Sequence, residues 1–254
     1  MEDNKEITGK IALEYGDRRI ASPEMRRLSE LYDVVYDPAW FAKTTDSILY
    51  YMYRDICLDP SHKEKILMSR MNFTITRIPP YMFGDEYVKT HGHYHGNVIR
   101  SNFTYPEIFE VLKGEAIFFM QKVEDGKLTD TCFVKAKEGD KIIIPPKYGH
   151  ITINPTQKEI TVGNWMYKYS SMYYEPMKRT KGGAYFFLKD TIKENKSYPS
   201  LPSLRELQPM NFEDLGLAKK SDLYRLILTP EKLDMLKNPQ AYCEVWERAV
   251  GKKI

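Results

Sequence analysis

The sequence predicts an all-β core made of antiparallel strands, arranged as a sandwich or a barrel. Between residues 72 and 187, short runs rich in Ile, Val, Thr, Tyr and Phe are separated by segments that contain Gly and Pro. Many such runs at regular intervals are typical of antiparallel sheets whose strands are joined by tight turns. The predicted strands are NFTITRI, PEIFEVL, EAIFFMQKV, TDTCFVKA, DKIIIPP, HITINP, EITVGNWMY and GAYFFL.

Two of the turns are indicated by their residues. Asp125-Gly126 separates two predicted strands and is typical of a short hairpin loop. The segment KEGD, which precedes KIIIPP, predicts a second tight turn. These turns favour strands that pair with their sequence neighbours.

The chain divides into three zones. Residues 1–70 form a predicted N-terminal extension that packs on the barrel, residues 71–190 form the β-barrel that carries the candidate site, and residues 191–254 form a linker and C-terminal helices. The linker is indicated by the Pro- and Ser-rich segment KENKSYPSLPSL, and Thr229-Pro230-Glu231 predicts a helix start.

The extension contains two segments with local signals. SPEMRRLSELY predicts a short helix, with Ser22 as its N-cap and Pro23 at its first position. DSILYYMYRDI fits a helix or a strand, and its pattern leaves both open.

Composition excludes several classes of protein. The 38 basic and 35 acidic residues nearly cancel, to a formal charge of +3, so a nucleic acid is not the expected partner. No apolar run approaches the roughly 20 residues that cross a bilayer, so no membrane partner is expected. The 3 cysteines are far apart and form no disulfide framework, which predicts a cytoplasmic protein.

A group of histidines and a glutamate predicts a metal site. His93 and His95 are two residues apart, so on a strand both imidazoles point to the same face. In PEIFEVLKG, Glu107 precedes Gly114 by seven residues. Farther along the chain, His150 follows a Pro-containing turn.

These spacings resemble the two motifs of the cupin family. HxH, then Glu with a Gly seven residues later, corresponds to the first motif, and G(X)5P(X)4H(X)3N corresponds to the second. The resemblance implies a jelly-roll β-barrel that holds one divalent metal ion per chain, with iron(II) favoured and manganese, nickel or zinc possible. The implied metal ligands are His93, His95, Glu107 and His150.

The first motif departs from the cupin pattern in one respect. Eleven residues separate His95 from Glu107, whereas cupins usually have three or four there. Glu110 is the competing ligand, but strand alternation points its side chain to the opposite face from Glu107. The long connection is interpreted as a lid over the barrel or as an inert surface insertion. His91 is not expected to be a ligand.

The flanking residues resemble one branch of the cupins, the glucose-6-phosphate isomerases of archaea and some bacteria. The resemblance rests on GDEYVKTHGHYH and EIFEVLKGEA and extends roughly from Asn72 to Tyr174. It implies a homodimer with a sugar-phosphate substrate. It also implies substrate-binding roles for Thr76, Thr90, Gly92 and Tyr167. Lys89 alternates with Thr90 and is expected to be a solvated charge.

The same resemblance implies the chemistry, but one residue expected for that chemistry is missing. The expected reaction interconverts glucose 6-phosphate and fructose 6-phosphate through an enediolate held at the metal, with Glu107 as the base. A hydride shift is the competing route. Phe109 stands where the family often has Tyr, and a histidine expected past Tyr167 is missing. Tyr173 lies nearest to that place and is the second candidate catalytic residue.

Two alternative functions stay open from the sequence. The missing histidine favours a non-catalytic cupin that binds a sugar or sugar phosphate. The same four ligands are also compatible with a cupin metal enzyme acting on another substrate, such as a dioxygenase or another sugar-phosphate isomerase.

Overall fold

Two β-sheets form a jelly-roll barrel in the computed structural model, which describes residues 13–15, 18–20, 23–209, 211–219 and 221–252. The strands are β1 (Leu13–Tyr15), β2 (Arg18–Ile20), β3 (Glu24–Arg27), β4 (Ile48–Tyr53), β5 (Met71–Ile78), β6 (Met82–Phe83), β7 (Glu86–Tyr87), β8 (Tyr94–His95), β9 (Glu107–Lys113), β10 (Glu115–Glu124), β11 (Lys127–Lys137), β12 (Lys141–Ile144), β13 (Tyr148–Ile153), β14 (Ile160–Tyr167), β15 (Met172–Tyr173), β16 (Tyr185–Phe187), β17 (Ile192–Glu194) and β18 (Arg205–Leu207). This architecture agrees with the predicted all-β core.

The helices are short and lie in the segments that connect or follow the strands. The α-helices are α1 (Pro38–Phe41), α2 (Lys63–Ser69), α3 (Glu175–Arg179) and α4 (Cys243–Val250). The 3-10 helices are Leu28–Val34, Pro60–His62, Glu213–Leu215, Leu223–Leu228, Pro230–Leu236 and Pro239–Ala241. Within the described parts of the chain, none of the helices combines the length and apolar character that a bilayer crossing requires.

The larger sheet has the strand order β12-β9-β14-β5-β4-β3, and the smaller has the order β13-β10-β11-β18. Neighbouring strands are antiparallel except for β18, which runs parallel to β11. The predicted hairpin turn is confirmed, because Asp125 and Gly126 connect β10 to β11 with positive φ angles of 49° and 73°.

Strand alternation divides the larger sheet into two apolar faces. On β9, Phe109 and Val111 pack into the core between the sheets, whereas Ile108 packs in a second cluster on the outer face. The C-terminal segment, from Phe212 to Trp246, covers that outer face, and Trp165 Nε1 donates a 2.9 Å hydrogen bond to the carbonyl oxygen of Leu223. The barrel interior is therefore separated from the C-terminal segment by one layer of sheet.

The N-terminal region corrects one sequence prediction. SPEMRRLSELY does not form one helix: it contains strand β3 followed by the 3-10 helix Leu28–Val34, and Ser22 lies outside the described residues. Pairing with β4, which places Arg26 opposite Tyr50, outweighs the weak local preference for a helix. DSILYYMYRDI, left open by its pattern, contains β4. The predicted helix start is confirmed at Thr229, the N-cap of the 3-10 helix Pro230–Leu236.

β3 and β4 come from the predicted extension yet complete one edge of the larger sheet. The extension therefore contributes strands to the barrel wall. The boundaries at residues 70 and 190 stay predictions.

Candidate metal centre

Strands of three different sheets bring the four predicted ligands together. His95 ends β8, Glu107 begins β9 and His150 lies in β13, while His93 forms an isolated bridge with His150. One ligand atom from each of these residues lies within 4.8 Å of the others. His95, Glu107 and His150 are all less than 5% exposed, so the group is shielded from bulk water.

The polar atoms of this group face one another, but they leave the hydrogen-bonding capacity of Glu107 Oε2 unsatisfied. Glu107 Oε2 lies 3.3 Å from His95 Nε2 and 3.3 Å from His150 Nε2. His93 Nε2 lies 3.2 Å from His95 Nε2. Glu107 Oε2 is buried and has no hydrogen-bond partner among the described residues. A buried carboxylate oxygen without a partner is costly, so this arrangement fits a cation at the centre of the group.

The insertion between His95 and Glu107 helps to orient a ligand. His95 Nδ1 lies 2.7 Å from the carbonyl oxygen of Tyr105. A carbonyl can only accept, so Nδ1 carries the hydrogen and the lone pair of Nε2 faces the group. The insertion folds back on itself through hydrogen bonds from Val98 N to Phe103 O and from Tyr105 N to Gly96 O. The eleven-residue connection therefore leaves the four ligands together.

The electrostatics favour the metal-binding protonation states. Burial, followed by the nearby His150 and His95, holds the pKa of His93 well below its usual value. Burial also lowers the pKa of His150, although Glu107 opposes this shift. Burial would raise the pKa of Glu107, but the close approach of the His150 and His95 imidazoles outweighs burial and the net shift is downward. Neutral imidazoles beside a carboxylate are suited to a first-row divalent ion.

Glu110 lies outside this group. Its Oε1 lies 2.9 Å from Lys141 Nζ, and its Oε2 accepts a 2.8 Å hydrogen bond from Leu223 N. Both partners lie toward the C-terminal segment, on the outer face of β9. The structure thus places Glu107 on the inner face and Glu110 on the outer one.

The metal group opens onto a cavity in the barrel interior. His93, Glu107 and His150 form part of its wall, together with Tyr50, Met52, Arg54, Thr74, Thr76, Thr90, His91, Gly92, Phe109, Thr152, Val162, Asn164, Met166, Met172 and Tyr174. Of the residues predicted to bind substrate, Thr76, Thr90 and Gly92 line this cavity.

Gly92 is required by close packing at the cavity wall. Its φ angle is +80°, and a Cβ atom there would lie 2.7 Å from Ile151 Cγ1. Thr90 is held alongside it, because its Oγ1 accepts a 3.0 Å hydrogen bond from Thr152 N. The cavity wall is therefore built closely around the HGH segment.

Two predicted site residues lie outside the cavity, which corrects the sequence-based expectation. Tyr167 points to the outer face of β14, where its ring centroid lies 5.0 Å from that of Tyr105. Tyr173 is 54% exposed and pairs with Tyr94. Strand alternation instead turns Met166 and Met172 into the cavity, and Tyr174 joins them.

Lys89 is a second correction. It is 3% exposed, forms an ion pair with Glu86 and donates a 2.7 Å hydrogen bond from Nζ to Val34 O. Lys89 does point away from the cavity that Thr90 lines, but the N-terminal region covers that opposite face. Lys89 is therefore a buried partner of a carboxylate and not a solvated charge.

His91 is a cavity residue that is not part of the metal group. It is 3% exposed, and its Nδ1 lies 3.2 Å from the carbonyl oxygen of Gly92. Its Nε2 is buried and has no partner among the described residues. Its ring packs edge-on against Tyr174 at a centroid distance of 5.0 Å.

Sequence reasoning also missed Arg54 and Asn164, which line the cavity. Arg54 follows Tyr50 and Met52 at strand spacing, and this signal was hidden by the helix-or-strand ambiguity of DSILYYMYRDI. Asn164 lies in EITVGNWMY, where a polar residue among apolar ones was the available signal. Neither position is part of the two cupin motifs.

A jelly-roll barrel that gathers three histidines and one glutamate on its inner surface defines a member of the cupin class. Within that class, the model of the family described as glucose-6-phosphate isomerase (GPI) matches residues 25–202, and the chain belongs to this family. This match confirms the resemblance indicated by the motifs.

Known relatives agree with the family match. The chain is 28% identical over 152 residues to a glucose-6-phosphate isomerase of Thermococcus litoralis, covering 59% of this chain and 72% of that protein. It is 27% identical over 148 residues to one from Pyrococcus furiosus, covering 57% and 70%.

Solved structures overlap with the barrel only in part. The match to vicilin from Corylus avellana covers 49% of this chain and 32% of the vicilin chain, at 13% identity and a TM-score of 0.36. An oxalate oxidase covers 50% and 56%, at 17% identity and a TM-score of 0.36. The family assignment rests on the family match and not on these overlaps.

Proposed function

We propose that this protein is a metal-dependent aldose–ketose isomerase that interconverts glucose 6-phosphate and fructose 6-phosphate. The observation that carries the proposal is the buried group of three imidazoles and one carboxylate at a cavity, in a chain of the glucose-6-phosphate isomerase family. The relatives from Thermococcus litoralis and Pyrococcus furiosus that bear this name support the same reaction.

His93, His95, Glu107 and His150 would hold one divalent metal ion per chain. We propose iron(II), with manganese, nickel or zinc as alternatives, because imidazole and carboxylate ligands suit all four ions. When bound, the ion supplies a Lewis acid that polarises a substrate carbonyl and stabilises negative charge on oxygen.

Glu107 is the proposed base that carries a proton between C2 and C1 of the sugar, by way of an enediolate. Its carboxylate is 4% exposed and lines the cavity, where it is shielded from exchange with bulk water. A carboxylate is ionised at neutral pH and can therefore accept a proton. A direct hydride shift between the two carbons is the competing chemistry and needs no base.

The substrate phosphate is proposed to bind at the hydroxyl-rich part of the cavity wall. Thr76 and Thr90 supply hydroxyl donors, and Gly92 allows close approach of the backbone. Arg54 brings a guanidinium group to the same wall, where its Nε also pairs with Glu24 Oε2 at 2.9 Å. The neighbouring hydroxyls of Thr74 and Thr152 extend this surface. A neutral or cationic wall with many donors suits an anionic sugar.

The sugar hydroxyls are proposed to meet Tyr174 and His91. Tyr174 takes the role that the sequence gave to Tyr173, because it is Tyr174 that lines the cavity. The buried Nε2 of His91 has no partner among the described residues, and a bound sugar would satisfy it.

A non-catalytic sugar-phosphate-binding protein is the second candidate. It is favoured by one observation: Met166 and Met172 line the cavity, and neither side chain can exchange a proton with a substrate. A cupin oxygenase is the third possibility, since the same ligands leave positions for oxygen.

One set of measurements separates the three functions. Fructose 6-phosphate turnover is followed in air and under nitrogen on the metal-loaded protein, and thermal unfolding is recorded with and without the sugar phosphate. An isomerase converts the substrate at the same rate under both gases. Loss of turnover of a tested substrate under nitrogen indicates an oxygenase. Stabilisation by ligand without any turnover indicates a binding protein.

A homodimer and a cytoplasmic location stay predictions from the family resemblance and the composition. Sedimentation equilibrium on the metal-loaded chain tests the first. A mass of one chain at all protein concentrations would contradict it.

A further inference from the structure

One hydrogen bond joins the side chain of Asn164 to the Glu107 carboxylate. Asn164 Nδ2 donates to Glu107 Oε1 over 2.5 Å, and both residues are 4% exposed. The two side chains lie on adjacent strands, because β14 pairs with β9 and places Met166 opposite Glu107. Asn164 is two residues from that pair on the same face, which is the diagonal contact of an antiparallel sheet.

The chemistry of the two groups decides which end of the amide faces the glutamate. An ionised carboxylate can only accept hydrogen bonds, so Asn164 presents its NH2 group to Oε1. The other oxygen, Oε2, is then left facing His95 and His150 at 3.3 Å. One oxygen is therefore occupied by the amide and the other is directed at the centre of the metal group.

Asn164 has no visible role in the rest of the barrel. Its neighbours on the inner face of β14 are Val162 and Met166, which are apolar. Among the described residues, its side chain makes no hydrogen bond other than the one to Glu107. The residue opposite it on β5 is Thr74, which also lines the cavity. A buried amide is destabilising unless it is hydrogen-bonded, and Glu107 supplies that bond.

We propose that Asn164 is a positioning residue of the metal centre, which holds the Glu107 carboxylate so that Oε2 faces the histidines that would bind the ion with it. The inference rests on the metal site of the proposed function and deepens it. Outer partners of this kind orient ligands and typically change metal affinity by about 10- to 100-fold when they are removed.

The chain offers a matched control for this inference. Asn154 is also a fully buried asparagine, but its Nδ2 donates to Ile78 O and Lys158 O, at 2.9 and 2.8 Å, and it does not line the cavity. Asn154→Asp removes structural hydrogen bonds without touching the ligands. It should lower the unfolding temperature and leave metal affinity unchanged.

The test is calorimetric titration of the metal-free protein with Mn²⁺ alone, for the wild type, Asn164→Asp, Asn164→Ala and Asn154→Asp. We expect the two Asn164 variants to bind about 10- to 100-fold more weakly than the wild type. Circular dichroism identifies any variant that does not fold. If Asn164→Asp does not fold, the comparison rests on Asn164→Ala alone. Absorption spectra of the Co²⁺-loaded proteins should change in the Asn164 variants only.

Two outcomes would overturn the inference. If the wild type binds Mn²⁺ and the folded Asn164 variants bind it equally well with unchanged Co²⁺ spectra, Asn164 does not position Glu107, and the metal centre stands without it. If the wild type binds no metal at all, the proposed metal centre fails and this inference fails with it.

Discussion

Glu110 Oε1 lies 2.9 Å from Lys141 Nζ on the outer face of β9, only three residues beyond Glu107 on the inner face. Lys141 Nζ also donates to Gly139 O at 2.9 Å and to Lys219 O at 3.2 Å. The Glu110–Lys141 pair therefore anchors the C-terminal segment to the sheet. One strand thus carries two glutamates with separate tasks.

Exchanging each glutamate for glutamine separates these tasks. We expect Glu107→Gln to abolish turnover and weaken metal binding, because it removes the one negatively charged ligand. Glu110→Gln should keep the metal and the turnover of the folded protein. It should lower the free energy of unfolding by about 3 kcal/mol, because the ammonium group of Lys141 stays buried without its carboxylate. Metal titration and urea unfolding measure these effects, and the reverse pattern would reassign the ligand.

Substitution of two adjacent tyrosines tests which of them faces the substrate. Tyr174 lines the cavity, whereas Tyr173 is 54% exposed. Tyr174→Phe should raise KM for fructose 6-phosphate by about 2- to 10-fold, as expected for one lost hydrogen bond. Tyr173→Phe is the matched control and should leave both kcat and KM unchanged. Steady-state kinetics measure the pair, and an effect confined to Tyr173→Phe would restore the original expectation.

The pH dependence of stability should report on Asp130. Burial opposes ionisation of this carboxylate, but hydrogen bonds from Arg205 and Tyr148 outweigh it, and the pKa falls below its usual value of 3.8. A lowered folded-state pKa stabilises the fold above pH 3.8, and this contribution is lost as pH falls through the folded-state pKa. Arg205 also donates a 2.9 Å hydrogen bond to Val250 O, so the Asp130–Arg205 pair stabilises the packing of the C-terminal helix α4.

Asp130→Asn should therefore cost about 2 kcal/mol of unfolding free energy at pH 7, the order of a charge-assisted hydrogen bond. The difference from the wild type should shrink as the pH falls below 3.8. Urea unfolding of the metal-free proteins at several pH values checks this. A difference that stays constant down to the lowest pH would contradict it.

Isomerisation in heavy water separates proton transfer from a hydride shift. If Glu107 carries the proton, it exchanges with solvent during some turnovers, and the product contains deuterium at the carbon that receives the proton. Mass spectrometry of glucose 6-phosphate formed in D2O measures this. Product that carries no solvent deuterium at any extent of reaction would favour the hydride shift and remove the role of Glu107 as base.

Sequence reasoning was most successful where strand alternation controls the outcome. His93 and His95 differ by two positions, and Glu107 and Glu110 differ by three, so the face of each follows from its number. The all-β core was predictable from composition, because its strands are short and rich in apolar, β-branched residues. The insertion before Glu107 did not disturb these counts, because it begins and ends outside the strands.

The assignment failed where the family resemblance was carried past the motifs. Met166 on β14 and Met172 on β15 both line the cavity, so the inward-facing positions keep the same parity on the two strands. Tyr167 and Tyr173 were assigned to the site by resemblance, and each is one position away from a residue that lines the cavity. Strand alternation turns both tyrosines away from the cavity once the inward face of β14 is known.

Residues brought in by tertiary contacts were also beyond reach. Arg54 reaches the cavity because β4 joins the sheet beside β5, and Lys89 is buried because Val34 and the ring of Phe186 pack against its ammonium group. Such partners follow from packing between segments that are far apart in sequence. A local sequence pattern does not predict such contacts.

The central claim is that one metal ion per chain, held by His93, His95, Glu107 and His150, is required for isomerisation. The most direct measurement is fructose 6-phosphate turnover of the chelated protein as iron(II) or manganese(II) is added back anaerobically. We predict no turnover without metal, and a rise that levels off at about one equivalent per chain, as for a single four-ligand site. Turnover that persists in the chelated protein, or that stays absent at every metal concentration, would contradict the claim.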